Sequence, residues 1–360
     1  MSALPLPRFA ALGHQESWDR IAALVRELRD PALEPLTQGQ LREVVGWIPP
    51  RTVSRISVAA TCDSEAVPGI YVDTFITPDE LAARPTQRVL AKVRDGIAAA
   101  RREGVRLVTL GGFTSILLES MDLEPDPRLA LTTGNTLTAA LIVRGIEHAA
   151  DLLGRRMHEE DVLIIGATGD NGSACARFLN GRVRRLLLAA RNPERLEREA
   201  GLLRAAGRVE TSTDVRRLLG EATMVIAVTS AFEPCFALEA CKPDAIVCDA
   251  GYPKNIRVAP GAPGRQRVFW GGMGVVGGGL RSVDGISEKL YRFPVPNVAH
   301  GCVLEGAVLA MADRFEAFSV GRGRITPARV EEIWQLARTC GVSLAPLFDS
   351  AGVWPEEVAT

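Results

Sequence analysis

No charge of either sign dominates the chain: 42 Lys and Arg stand against 43 Asp and Glu, a formal net charge of −1 over 360 residues. A protein that meets nucleic acid or a membrane with its whole surface carries a basic excess, so neither partner is expected. Lysine is scarce: Lys92, Lys242, Lys254 and Lys289 are the only four, and arginine supplies the rest of the positive charge. The four histidines, His14, His148, His158 and His300, are scattered, and their spacing makes no metal site. The seven cysteines, at 62, 175, 235, 241, 248, 302 and 340, include no C-x-x-C pair. That excludes the usual zinc and dithiol spacings and leaves reduced thiols in a cytoplasmic protein as the expectation. No stretch reaches the ~18–20 consecutive apolar residues of a membrane helix. Residues 1–9 hold two prolines and no apolar run of signal-peptide length.

What remains is the composition of an ordinary globular protein, 47% hydrophobic and 24% charged. Its length predicts two or three domains at roughly 100–200 residues each. Residues 56–62 and 70–76 read as strands separated by a turn at Pro68-Gly69, and Thr77-Pro78-Asp79-Glu80 reads as a helix start. Helical spacing over 86–103, stopped by Gly104, leads into a strand at 105–110, and a further helix spans 136–153. Five short apolar runs follow, at 162–165, 186–190, 224–228, 245–248 and 268–270, with crossover-length segments between them. This is the rhythm of a parallel sheet covered by helices on both faces. Helices are expected over 300–318 and 327–340, the second capped by Thr326. The expected fold class is α/β: an N-terminal α/β substrate domain over 1–155, a central Rossmann-like doubly wound parallel sheet over 156–290, and C-terminal helices over 291–360 packing back across the cleft.

The most legible motif is a buried strand running into Gly166-Ala167-Thr168-Gly169-Asp170-Asn171-Gly172 and then a helix. The glycines allow a tight turn and close approach of a pyrophosphate, whose charge the free N–H groups of the helix start can receive. At the end of the next strand a site for the unphosphorylated ribose would carry an acid, whereas this chain has Ala190, Arg191 and Asn192. A guanidinium there suits a 2′-phosphate, which makes NADPH the expected cofactor. The alternative for an arginine at such a place is a solvated surface charge.

Cys302 follows Gly301 at the start of an expected amphipathic helix with Leu304, Val308, Met311, Ala312 and Phe315 on one face. The positive end of a helix favours the thiolate, the form that attacks a thioester, although free cysteines are commonly buried and inert. Lys254, in Asp249-Ala-Gly-Tyr-Pro-Lys-Asn255, stands at the carboxyl end of an expected strand, where open parallel sheets bind ligands; a surface lysine in a turn is the alternative. Thr114, Ser115, Asn135 and Thr136 are candidate substrate-binding residues, or they satisfy loop backbone. Arg177, Arg182, Arg184 and Arg185 form a basic cluster that either docks an acidic partner or is simply solvated. His14 and His148 read as structural, and His300 as a minor candidate beside Cys302.

The strings Leu110-Gly-Gly-Phe-Thr-Ser115, Thr132-Thr-Gly-Asn-Thr136, Gly166-Ala-Thr-Gly-Asp170, Ala190-Arg-Asn192 and Asp249-Ala-Gly-Tyr-Pro-Lys-Asn255, with a weaker Leu12-Gly-His14, give the chain its family likeness. In that order it resembles the long-chain acyl-[acyl-carrier-protein] reductases over most of its length. The resemblance implies NADPH-dependent reduction of a fatty acyl thioester, carried by acyl carrier protein or coenzyme A, to an aldehyde that a downstream enzyme would consume. It places the acyl-carrying cysteine at Cys302 and a family glutamate at Glu305. Two departures bear on substrate: Leu137 stands where the family pattern has a histidine, and residues 271–279 are richer in glycine. Two other readings remain open, a shikimate-dehydrogenase-like ketone or imine reductase and an inactive NADPH-binding sensor.

Overall fold

The computed structural model describes residues 5–83, 87–118, 121, 126–231, 233–257, 266–282, 285–319 and 323–358. Two compact units emerge: Met1–Gly134 with Val275–Val320 and Leu336–Ser343, and Asn135–Gly274 with Gly321–Gln335 and Leu344–Thr360. This differs from a division at 155 and 290 with a separate C-terminal segment. The helix Asn135–Leu152 packs on the helix Asp170–Leu179 and the strand Ile246–Asp249, so it joins the second unit. The helix Gly301–Met311 packs on the strands Leu107–Leu110 and Phe9–Gly13, so it joins the first. The last 60 or so residues are thus shared between the units, and the tail is tied into the second, where the Trp354 indole donates to the Val268 carbonyl at 2.6 Å.

The first unit holds a six-stranded sheet in the order Leu280–Ser282, Arg51–Val58, Val67–Asp73, Phe9–Gly13, Leu107–Leu110, Ala130–Thr132. Its last four strands run parallel, and the first two pair antiparallel at one edge. Pro68 and Gly69 lie inside a strand, paired with Ser57 and Ile56, and not in the expected turn. A β-carbon on Gly69 would sit 2.4 Å from the Phe9 ring, so the glycine is there to let the neighbouring strand's ring lie flat on it. The capping box at Thr77 and Glu80 forms as the sequence predicts. The run that begins at 86 gives the helix Gln87–Arg102, and Thr86 itself lies outside the described residues.

Six parallel strands make up the sheet of the second unit: Arg267–Trp270, Ile246–Asp249, Met224–Ala227, Asp161–Ile165, Arg185–Ala189 and Val209–Ser212. Numbered along the chain, that order is 3-2-1-4-5-6 read from the other edge, the doubly wound dinucleotide-binding arrangement. Five of these strands match the five apolar runs. The sixth, Val209–Ser212, is a half-exposed edge strand of mixed polarity and gives no such run. The strand order reverses between Asp161–Ile165 and Met224–Ala227, and the glycine loop leaves the first of them. Among the described residues no helix is long and apolar enough to cross a membrane.

Candidate active site

Cys302 is the second residue of the helix Gly301–Met311, partly buried over the carboxyl ends of the first unit's parallel strands. The helix is shorter than expected, ending where Asp313 turns left-handed at φ 59°, and it is not amphipathic. Leu304, Glu305, Gly306, Ala307, Val308, Leu309 and Ala310 are all buried, because a helix resting on a sheet and covered by loops exposes no face. Phe315 lies beyond its end, under the guanidinium of Arg106 at 3.8 Å. Gly306 permits the close approach, since a β-carbon there would lie 2.6 Å from a Thr109 methyl carbon. Thr109 in turn donates its hydroxyl to the Cys302 carbonyl at 2.6 Å.

Glycines from two loops close on the cysteine. A β-carbon on Gly111 would reach 3.4 Å from Sγ, and one on Gly134 would fall 2.4 Å from the Cys302 Cα. Gly112 holds φ 56° and ψ −128°, a conformation that only glycine takes readily. Burial pushes the Cys302 thiol up to about 11, against the pull of the backbone N–H groups of Gly112, Val303 and Cys302 itself, which favour the thiolate. Burial thus opposes the helix start, which favours the thiolate, and the thiol is held above its ordinary value. One turn along, Glu305 is fully buried; it accepts hydroxyl hydrogen bonds from Thr132 at 2.5 Å and Ser319 at 2.8 and 2.9 Å. Its charge raises the thiol further.

Thr114 and Ser115 are buried beside this turn with their hydroxyls bonded to backbone carbonyls, Thr114 to Gly111 and Leu12 at 2.8 and 3.3 Å, and Ser115 to Gly112 at 2.8 Å. What they do in this structure is fix the Gly111–Gly112 turn. A cavity of about 400 Å³ adjoins in the same unit, walled by Ile56, Tyr71, Leu280, Tyr291, Phe293 and Val303 among others. His300 also lines it, its ring edge-on to Phe293 at 5.6 Å. No sequence signal marks this cavity, because its wall comes from four separate segments, at 56, 71, 280 and 291–303.

In the second unit, Gly166 has φ 93°, and a β-carbon would meet the Val228 carbonyl oxygen at 2.6 Å. A β-carbon on Gly172 would meet the Gly166 carbonyl oxygen at 2.2 Å, so the loop is built to pack backbone on backbone, with Ala167 buried beneath it. Gly169 caps the helix Asp170–Leu179 without a side-chain bond, which leaves the first-turn N–H groups available to an anion. Asp170 accepts from Asn135 at 3.2 Å and from the Gly323 N–H at 3.2 Å, and Asn171 donates to Asn135 at 3.4 Å. Asn135 is thus bonded to the glycine loop, and Thr136 beside it is buried. Arg191 is exposed past the end of its strand with no ion-pair partner among the described residues, and Asn192 caps the next helix through Arg195 at 2.9 Å. Leu137 is wholly buried core, and the glycines at 271 and 278 make room for Cys248 and the Thr61 carbonyl.

The string around Lys254 folds back on its own strand. The buried Asp249 carboxylate accepts the N–H groups of Gly251, Asn255 and Ile256 at 2.9–3.1 Å, which ties the loop into a knot. Lys254 donates to the Asp249 carbonyl at 3.1 Å and stands 5.1 Å over the Trp270 ring. Three arginines of the basic cluster are ion-paired, Arg184 and Arg185 with Asp161 at 2.6 and 3.0 Å and Arg177 with Glu199 at 2.8 Å, while Arg182 lies over the Phe178 ring.

No family model matches the chain. It is 32% identical over 305 residues to the long-chain acyl-[acyl-carrier-protein] reductase of Synechococcus elongatus, a match covering 79% of this chain and 84% of that protein. Over 303 residues, 81% of this chain, it is 28% identical to the aminotransferase PigE of a Serratia strain, of which the match takes up 33%. Among solved structures, glutamyl-tRNA reductase from Methanopyrus kandleri is similar at 17% identity and a TM-score of 0.31, over 71% of this chain and 55% of that one. A likeness of that size adds nothing to the strand orders above.

Proposed function

The chain belongs to the long-chain acyl-[acyl-carrier-protein] reductase family, and from that premise we propose that it converts a fatty acyl thioester to an aldehyde through an acyl group carried on Cys302. The observation that carries this reading is the setting of Cys302: glycine loops on two sides, a place at the start of a helix, and an apolar cavity flanked by His300 and Val303. The thiolate attacks the thioester carbonyl, a carbon–sulfur bond forms to Cys302, and the carrier thiol leaves with the proton. The N–H groups of Gly112 and Val303 are the donors assigned to charge that develops at the reacting centre. The acyl chain is assigned to the cavity, whose wall is mostly aliphatic and aromatic.

The second unit fits a dinucleotide: the close-packed glycine loop, the open helix start and the exposed Arg191 together suit a pyrophosphate and a 2′-phosphate. NADPH supplies the hydride when bound. Gly166, Ala167, Thr168, Gly169, Asp170, Asn171 and Gly172 are assigned to its pyrophosphate, Arg191 to its 2′-phosphate, and Lys254 to its charge at the strand ends. Arg191→Ala is expected to weaken NADPH about tenfold while leaving NADH nearly unchanged, by the loss of one exposed charge-assisted bond. Steady-state KM values for both cofactors check this; an equal change in both would remove Arg191 from the site.

The test of the whole reading is intact-protein mass spectrometry after mixing with acyl carrier protein thioester or acyl-coenzyme A in the absence of cofactor. An acyl-sized increase that maps to Cys302 and discharges as aldehyde on addition of NADPH is the expected result. A folded, NADPH-binding protein that takes up no acyl group from either donor would return the ketone-reductase or sensor reading. The aldehyde product is reactive, so an aldehyde-consuming enzyme is the expected downstream partner.

A further inference from the structure

His14 follows the strand Phe9–Gly13, and its buried ring lies between two backbone groups. Nε2 lies 3.0 Å from the Phe113 N–H, and Nδ1 lies 3.3 Å from the Gln15 carbonyl oxygen. A carbonyl can only accept and an N–H can only donate, so the partners fix the ring as neutral with its hydrogen on Nδ1. Burial agrees, holding the imidazole down at about 4. Phe113 begins the helix Phe113–Leu117, and the two residues before it, Gly111 and Gly112, form the turn that lies against Cys302, where a β-carbon on Gly111 would reach 3.4 Å from Sγ. Gly112 has no side chain to hold its unusual torsions, and the turn is anchored from below by Thr114 and Ser115 and from the side by His14.

We propose that His14 is a positioning residue for Cys302: by accepting the Phe113 N–H it holds the Gly111–Gly112 turn against the sulfur. This rests on the reading of Cys302 as the nucleophile. The imidazole acts through the backbone in the role assigned to it, so its removal changes how readily the thiol reacts and not whether a nucleophile is present.

The test is alkylation of Cys302 by iodoacetamide in the full chain, followed by peptide mass spectrometry between pH 7 and 10, because Cys62 and Cys235 are also exposed. His14→Leu is expected to move the rate profile to higher pH and slow alkylation at pH 9 about tenfold. His14→Gln, whose amide oxygen can take the same N–H, is expected to stay within about threefold of the unaltered protein. Gly112→Ala displaces the same turn without altering the imidazole, and should slow alkylation in the same direction. An unchanged profile in His14→Leu, or equal slowing in the Leu and Gln variants, overturns the proposal. Should His14→Leu fail to fold, Gly112→Ala decides, and an unaltered rate in that variant overturns it too. Alkylation needs no thioester, so a protein that follows these profiles but never takes up an acyl group would overturn the nucleophile reading and leave the positioning of the thiol standing.

Discussion

Cys302→Ser is expected to lower thioester reduction by about 10³-fold or more, while the unaltered protein's acylation rate climbs about tenfold for each pH unit from 7 to 10. Both follow from where the sulfur sits. Burial pushes the thiol up to about 11, so at neutral pH the attacking thiolate is only about one part in ten thousand of the resting protein. The nucleophile is the deprotonated form, so the rate rises with pH and levels only as the pH passes the thiol's own value. A serine hydroxyl in the same place ionises far less readily still, and the backbone donors that favour a thiolate cannot supply a base for it. The measurement is the single-turnover rate of acyl adduct formation against pH, with NADPH withheld. A flat profile would mean that a neighbouring group takes the proton or that substrate binding ionises the thiol. Full reductase activity in the serine variant would remove Cys302 from the mechanism.

The sequence made the second unit's sheet readable and the first unit's only in part, with the capping box at Thr77 and the helix Gln87–Arg102 legible and the strand Phe9–Gly13 missed, for physical reasons. Strands buried on both faces are short unbroken apolar runs, and Val162, Leu163, Ile164 and Ile165 or Met224, Val225, Ile226 and Ala227 announce themselves. Val209–Ser212 at the edge does not, since an edge strand with half-exposed residues needs no apolar run. Phe9–Gly13 is fully buried, yet its Phe-Ala-Ala-Leu-Gly is too short and too rich in alanine to favour a strand by pattern. The glycine loop is local, a single stretch from strand to helix, so its spacing could be read directly. The surroundings of Cys302 are not local: Gly111, Gly112 and Gly134 lie far upstream, and only the parallel sheet brings their loops to one helix. Residue types gave partial warning. The glycines in the two strings at 110–115 and 132–136 mark backbone that must approach something closely, but what they approach is a property of the fold. The Thr114, Ser115 and Asn192 side chains show the converse, where residues of hydrogen-bonding type turn out to hold backbone.

Gly134→Ala tests that close approach, and its effect is expected to reach both stability and activity. At φ 70° a β-carbon is already strained by about 1–2 kcal/mol. In addition, that atom would stand 2.4 Å from the Cys302 Cα, 2.6 Å from its Cβ and 2.8 Å from its carbonyl oxygen. These are atoms at the root of a helix held by Thr109, not the far end of a mobile side chain, so the helix start must shift; overpacking of this kind costs about 1–3 kcal/mol more. The sum is a loss of about 2–5 kcal/mol. A displaced Cys302 also loses its place against the Gly111–Gly112 turn, and a shift of an ångström at a reacting atom lowers the rate about 10²-fold. Gly104→Ala supplies the comparison: it has φ 82° but nothing within 4 Å of the added carbon, so it carries the torsional strain alone. Denaturant midpoints of the two variants, read beside their Cys302 alkylation rates, separate strain from displacement. If Gly134→Ala matched Gly104→Ala in both readings, the loop would not be pressed against the cysteine in solution, and Cys302 would lose the confinement on which its assigned role depends.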